Sequence, residues 1–260
     1  MIRVKNLYKS YGKTKVLKGL DLEVNSGETL VILGRSGVGK SVLLRQIIGI
    51  ESPDKGTIEI DGISITTLSE SERYKIIKGM GMLFQGSALF DSMNVGENTA
   101  FYLREHLLEL SEEEIQKRVA KALDMVGLTG KQNMMPSDLS GGMRKRAALA
   151  RLIVYRPQIM LYDEPTTGLD PITAQQINTL INETKKELNS TSIVVTHDIH
   201  SAIEVGDRLA LHHDGKILHI APKEEFFKID DPLLHDFFEN AILTKDYIIP
   251  SNFKRSERNK

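Results

Sequence analysis

Gly34-Arg35-Ser36-Gly37-Val38-Gly39-Lys40-Ser41 is a run of small residues ending in a cation and a hydroxyl, and it carries the densest chemistry in this chain. It follows the apolar run Thr29–Leu33 and leads into Val42–Ile48, which reads as a helix. Glycines at this spacing let the backbone turn its N–H groups inward onto phosphate oxygens, helped by the positive end of the helix dipole. Lys40 is expected to reach the β- and γ-phosphates of a nucleotide, and the Ser41 hydroxyl to ligate Mg²⁺. A glycine-rich turn with a chance lysine is the bland alternative, and the order strand, loop, helix argues against it.

Asp163 and Glu164 close a second apolar run, Ile159–Tyr162. Carboxylates are seldom buried without a partner, so two at the end of a buried strand need a reason. Asp163 can hold Mg²⁺ through water, and Glu164 can then orient or deprotonate the attacking water. A phosphate loop and an acid pair describe many nucleotide hydrolases.

Asp138-Leu139-Ser140-Gly141-Gly142-Met143 narrows the class. Ser140 is a good N-cap, and the two glycines allow close backbone approach, giving a second anion site at a helix start. One nucleotide does not need two such cradles from one chain. Two chains packed head to tail would bring this motif over the γ-phosphate held by the partner's loop.

Here the sequence resembles the ATP-binding-cassette family, whose signature is Leu-Ser-Gly-Gly followed usually by glutamine; Met143 departs from that glutamine. The serine hydroxyl and glycine amides are unaffected, so hydrolysis is expected to survive the change. The resemblance implies further roles. Tyr11 matches the aromatic that stacks on adenine, and Gln85 the glutamine that contacts Mg²⁺ and the attacking water. Asp170, in Gly168-Leu169-Asp170, matches the loop that communicates between protomers, and His197 the switch histidine that touches the γ-phosphate. His212 and His213 precede an Asp-Gly turn and are expected to be exposed, with no role. Arg144, Lys145, Arg146 and Arg151 form a basic cluster on the signature helix, where the family is commonly basic, so nucleic acid is not expected as a partner.

The elements that must position these residues are legible in the patterning. Residues 1–27 and 56–66 alternate (Ile2 and Val4; Leu20, Leu22 and Val24; Ile58 and Ile60) between turn signals, predicting an antiparallel sheet. Thr29–Leu33, Ile159–Tyr162 and Ser192–Val195 predict buried parallel strands. Residues 87–155 read as predominantly helical. The clearest helix lies in 111–127, with Ser111 as cap, Glu114 completing a capping box, Gly127 as stop, and Ile115, Val119, Ala122, Leu123 and Val126 on one face. The fold expected is α/β: a P-loop NTPase core with mixed sheet, an N-terminal antiparallel β-subdomain and an inserted α-helical subdomain. The cassette is expected over 1–243, with a polar, basic tail over 244–260.

Composition sets the remaining bounds. The 260 residues are 40% hydrophobic and 27% charged with a net charge of −1, which fits a soluble surface and gives no global pull towards nucleic acid. The absence of cysteine removes disulfides and thiolate metal sites. The N-terminus lacks the apolar stretch of a secretory signal, and no apolar run approaches the roughly 20 residues of a membrane span.

Within the family, the chain has no room for the long coiled coils of chromosome factors and a single cassette where ribosome factors usually carry two, so transport is favoured. Gly86-Ser87-Ala88-Leu89-Phe90, Met93-Asn94-Val95 and Leu103-Arg104-Glu105-His106 after Gln85, with the Met143 signature, look like the ATPases of mammalian-cell-entry type phospholipid transporters. That resemblance implies a homodimer beneath an integral membrane permease, at the cytoplasmic face of the inner membrane, with a lipid-binding subunit beyond. The alternatives are a polar-solute (amino-acid type) import ATPase and, third, a soluble non-transport cassette.

Overall fold

The computed structural model describes residues 1–242, so the tail from Thr244 lies outside the described residues. Along the chain run β1 (Ile2–Tyr11), β2 (Thr14–Val24), β3 (Thr29–Leu33), α1 (Lys40–Ile47), β4 (Lys55–Ile60), β5 (Ile63–Ser64), α2 (Glu70–Ile77), β6 (Met80–Leu83), α3 (Val95–His106) and α4 (Glu112–Met125). A 3₁₀ turn at Pro136–Asp138 precedes α5 (Gly141–Ile153), β7 (Ile159–Asp163), α6 (Pro171–Leu188), β8 (Thr191–Thr196), α7 (Ile199–Val205), β9 (Arg208–His213), β10 (Lys216–Pro222), α8 (Lys223–Phe226) and α9 (Pro232–Ile242). The chain forms two compact units, one of residues 1–73 with the segment from Ile193 onward, the other of residues 74–192.

The first unit contains the antiparallel sheet that the alternation predicts, in the order β2-β1-β4-β5. Ile2 pairs with Val24 on one side and Ile60 on the other, and Val4 with Leu22 and Ile58, so one register buries all of these side chains on one face. In the same unit β9 pairs antiparallel with β10 and parallel with β3, a mixed arrangement. All five residues of β3 are buried, as an unbroken apolar run in a covered sheet must be.

The second unit pairs β6 parallel with β7, in register Met80 with Ile159 and Leu83 with Tyr162. Helices α3, α4 and α5 pack on one another. The α4 stripe of Ile115, Val119, Ala122 and Leu123 is buried, as its spacing predicts. Ser111 caps α4 by accepting from Glu114 N, but the Glu114 carboxylate takes Arg118 Nε at 3.0 Å. The second half of the expected capping box is thus used in an i,i+4 ion pair. The reciprocal box forms instead at α3, where Asn94 and Glu97 exchange two 2.8 Å bonds.

Directly after that cap, Asn98 is buried and ties down the segment before α3. Its Oδ1 accepts from Phe90 N at 2.8 Å, and its Nδ2 donates to the carbonyls of Phe90, Met93 and Asn94. One side-chain amide thus bonds four backbone groups of this irregular segment, of which the Phe90 and Asn94 carbonyls also accept from Met93 N and Asn98 N. Asn98→Leu should therefore destabilise the protein by about 2–3 kcal/mol. Urea unfolding checks this; an unchanged midpoint would show that water serves these groups equally well.

Candidate functional site

In the first unit, buried β3 ends at Leu33 and the chain turns through residues 34–39 into α1. Gly39 is the N-cap of α1 at φ +104°, and no side chain caps the helix. A Cβ at Gly39 would lie 2.5 Å from Val16 Cγ1, and one at Gly34 2.7 Å from the His212 carbonyl oxygen. Both positions are therefore glycine for space, and Gly39 for conformation as well. Lys40 is buried, with its Nζ donating to the Gly34 carbonyl at 2.6 Å and the Arg35 carbonyl at 3.0 Å, so the ammonium lies curled beneath its own loop. Arg35 reaches outward to Asp236 at 2.6 Å.

Tyr11 stands half exposed at the end of β1. Its hydroxyl donates to Glu51, whose other oxygen pairs with Arg45 of α1 at 2.9 Å, and burial with the Glu51 contact raises its pKa. The ring is thereby fixed relative to the phosphate loop through α1. His197 follows β8 and is exposed; the next residue, Asp198, caps α7 by accepting from His200 N at 3.0 Å.

The structure corrects the expectation for His212. His213 is exposed, but His212 is 1% exposed, with neither ring nitrogen hydrogen-bonded. Burial, together with the Lys40 charge, pulls its pKa down to about 4, so the imidazole is neutral at physiological pH. The Asp-Gly turn suggested a surface hairpin; β9 pairs with β3 and β10 up to this point, and the ring faces inward.

In the second unit, Asp163 ends buried β7, and Glu164 follows at φ +48°, both carboxylates almost wholly buried. The left-handed backbone at Glu164 is strained for a non-glycine residue. Thr167 Oγ1 donates to Glu164 Oε2 at 3.0 Å, holding one oxygen. Ser140 is the N-cap of α5 and accepts from Met143 N at 3.3 Å, as expected. A Cβ at Gly142 would lie 2.4 Å from Thr173 Cγ2, so this glycine is required by packing against α6, whereas Gly141 is roomier. Asp170 caps α6, accepting from Ile172 N and Thr173 N and from Thr173 Oγ1, which holds its carboxyl below the usual range.

Gln85 follows β6, and its carbonyl accepts from Lys145 Nζ. The basic cluster on α5 is therefore not one surface: Lys145 is 5% exposed, and the Arg151 guanidinium lies 4.3 Å from the centre of the Phe90 ring. Phe90 and Phe101 pack with centroids 4.8 Å apart beside a cavity of about 180 Å³, lined by Phe84, Ser87, Ala88, Tyr102 and Tyr155 among others.

A profile of the ABC transporter family matches residues 17–167. The chain is 42% identical over 236 residues to the probable ribonucleotide transport ATP-binding protein mkl of Mycobacterium leprae, covering 91% of this chain and 68% of that protein. It is 42% identical to the intermembrane phospholipid transport system ATP-binding protein MlaF of Haemophilus influenzae, covering 89% of this chain and 87% of that one. Among solved structures, the dimeric post-hydrolysis state of the ATP-binding cassette MJ0796, bound to ADP and Pi, superposes with a TM-score of 0.78 at 33% identity, covering 86% of this chain and 99% of that one. An ATP-binding cassette is thus what fold and motifs define. The chain belongs to the ABC transporter family and is an ATP-binding, ATP-hydrolysing subunit of a transporter that works with membrane components. No helix among the described residues is long and apolar enough to cross a membrane.

Sequence reasoning missed Lys145, Thr167, the Glu51–Arg45 pair and His212. For Lys145 a signal existed: it lies one residue short of the apolar run Ala147–Ala150, inside a helix that has to bury most of its surface. The others depend on contacts between distant segments that no local pattern encodes.

His212 yields a pH prediction. Its folded pKa lies below the ordinary 6.5, so the unfolded chain binds the proton first. The stability from keeping this ring neutral is present above about pH 6.5 and is lost as pH falls towards 4. His212→Gln should unfold with a weaker pH dependence than wild type across that window. Parallel stability profiles for the two proteins would contradict this.

Proposed function

We propose that this chain powers the movement of phospholipid between membranes, as one of two identical ATPase subunits docked beneath an integral permease that works with a lipid-binding subunit. Docked there, it lies at the cytoplasmic face of the inner membrane. The observation that carries the lipid reading is the likeness to MlaF at 42% identity over 87% of that protein's length. The methionine import ATP-binding protein MetN of Clostridioides difficile, 39% identical over 87% of this chain, keeps polar-solute import as the second reading.

For hydrolysis, Gly34, Arg35, Ser36, Gly37, Val38 and Gly39 present backbone amides to the ATP phosphates, and Tyr11 stacks on adenine. Lys40 exchanges its bonds to the Gly34 and Arg35 carbonyls for β- and γ-phosphate oxygens. Ser41, Asp163 and Gln85 are the residues proposed to hold Mg²⁺. Their donors are all oxygens, which suits a hard cation bound by few protein groups alongside phosphates. When bound, the ion neutralises charge developing on those phosphates. Glu164 takes a proton from, or orients, the attacking water, and His197 contacts the γ-phosphate. Ser140, Gly141 and Gly142 serve the nucleotide held by the partner copy, and Asp170 lies at the communicating loop.

The permease docking face is proposed at residues 85–106, where Phe90, Met93 and Phe101 supply apolar surface and Arg104, Glu105 and His106 polar register. Arg104 is already paired with Glu112 at 2.5 Å, and His106 Nδ1 is hydrogen-bonded with the Tyr74 hydroxyl at 3.2 Å, so Glu105 is left as the freer choice for register.

Glu164→Gln should retain ATP binding and lose about 10²–10³ in hydrolysis rate, measured by nucleotide binding and steady-state turnover. Near-wild-type turnover would remove Glu164 as the base. Cells lacking the protein should mislocalise phospholipid and become detergent-sensitive with amino-acid uptake intact. Normal lipid distribution with a defect in uptake of one polar solute would favour the second reading.

A further inference from the structure

The chain passes from β7 to α6 through residues 164–170, and hydrogen bonds close this connector along its length. Thr167 N donates to the Glu164 carbonyl at 3.3 Å, and Leu169 N to the Thr166 carbonyl at 3.3 Å. Pro165 fixes one φ of the first turn, and Gly168, at φ +80°, supplies the left-handed position that the second requires. The far end is pinned where Asp170 accepts from Ile172 N and Thr173 N at 3.1 and 3.0 Å.

Thr167 meets Glu164 twice. Besides the main-chain bond, its hydroxyl donates to Glu164 Oε2 at 3.0 Å. Glu164 is almost wholly buried, and its backbone at φ +48° persists only where the surroundings hold it. A carboxylate on a long side chain serves an attacking water well only when its direction is fixed, because small misplacements of a reacting group are costly. A hydroxyl carried on a closed connector is already ordered, so little freedom is lost when it engages that carboxylate. A threonine that served the turn alone would be replaced well by valine, which has the same shape and keeps the main-chain bond. The hydroxyl is the part that the turn does not need.

We propose that Thr167 is a positioning residue for hydrolysis: its hydroxyl holds Glu164 Oε2, so that Oε1 is aimed at the attacking water. The inference rests on the reading of Glu164 as the group acting on that water. It assigns Thr167 no contact with nucleotide or metal ion. What the hydroxyl contributes is a direction, whichever other groups also meet the carboxylate.

The test uses the full chain with Thr167→Val and Thr167→Ser. Each is assayed for equilibrium binding of a non-hydrolysable ATP analogue, for steady-state hydrolysis across ATP concentrations and for thermal unfolding. Thr167→Val should lower kcat roughly tenfold while KM and analogue affinity stay within about twofold, and Thr167→Ser should recover most of the loss. Adding Thr167→Val to Glu164→Gln should cost less than about twofold beyond Glu164→Gln alone, since one residue acts through the other. Wild-type kcat in Thr167→Val would overturn the proposal, with or without a lowered melting temperature, and would leave the hydroxyl to the turn. So would a serine variant as slow as the valine variant, or full additivity in the double variant. Should Thr167→Val fail to fold, Thr167→Ala takes its place beside Thr167→Ser. Rapid hydrolysis by Glu164→Gln itself would instead remove the base assignment on which the inference rests.

Discussion

Binding a polyphosphate through backbone N–H groups requires a helix whose first turn is left without a side-chain cap, and among the described residues α1 begins in that way. Helices α3, α4, α5, α6 and α7 each begin with Asn94, Ser111, Ser140, Asp170 or Asp198 accepting a backbone hydrogen bond. Helix α1 begins with Gly39, and its orphan amides are the groups proposed to bind the phosphates. Uncapped ends are normally a liability, so the neighbourhood is built to hold this one rigid. Val16 and the His212 carbonyl approach the glycines so closely that no side chain fits, and all five residues of β3 behind the loop are buried.

The second recurring problem is charge in places that exclude water. Lys40, Lys145, Asp163 and Glu164 are all nearly inaccessible, and an isolated buried charge is not tolerated. Lys40 is met by two carbonyls of its own loop, and Lys145 by the Gln85 carbonyl. Each of these carbonyls accepts a charge-assisted hydrogen bond, which offsets part of the cost of taking the ammonium out of water. His212 solves the problem differently, by remaining neutral against the Lys40 charge.

Packing also accounts for residues whose motif positions suggest ligand contact. Gly142 is required because Thr173 leaves no room for a Cβ, and Asp170 is occupied in capping α6. A signature residue can therefore serve the fold and the nucleotide together. The same economy operates in the segment before α3, where Asn98 bonds four backbone groups and thereby holds the segment that carries Phe90.

Local chemistry determined much of this protein. The β-alternation, the apolar runs of β3, β7 and β8, the Ser111 and Ser140 caps, the phosphate loop and the acid pair all follow from residue type and spacing over a few positions, where backbone geometry dictates which faces and groups meet. What the sequence left open lies where distant segments touch. Whether Glu114 closes a capping box or pairs with Arg118 is a choice between two local partners of similar energy. The burial of His212 and Lys145 and the tether from Tyr11 through Glu51 to Arg45 depend on neighbours far apart in the chain. Their solvent exposure and partners, and hence their charge state and usefulness, were decided only by tertiary packing, because desolvation is a property of the surroundings and not of the residue.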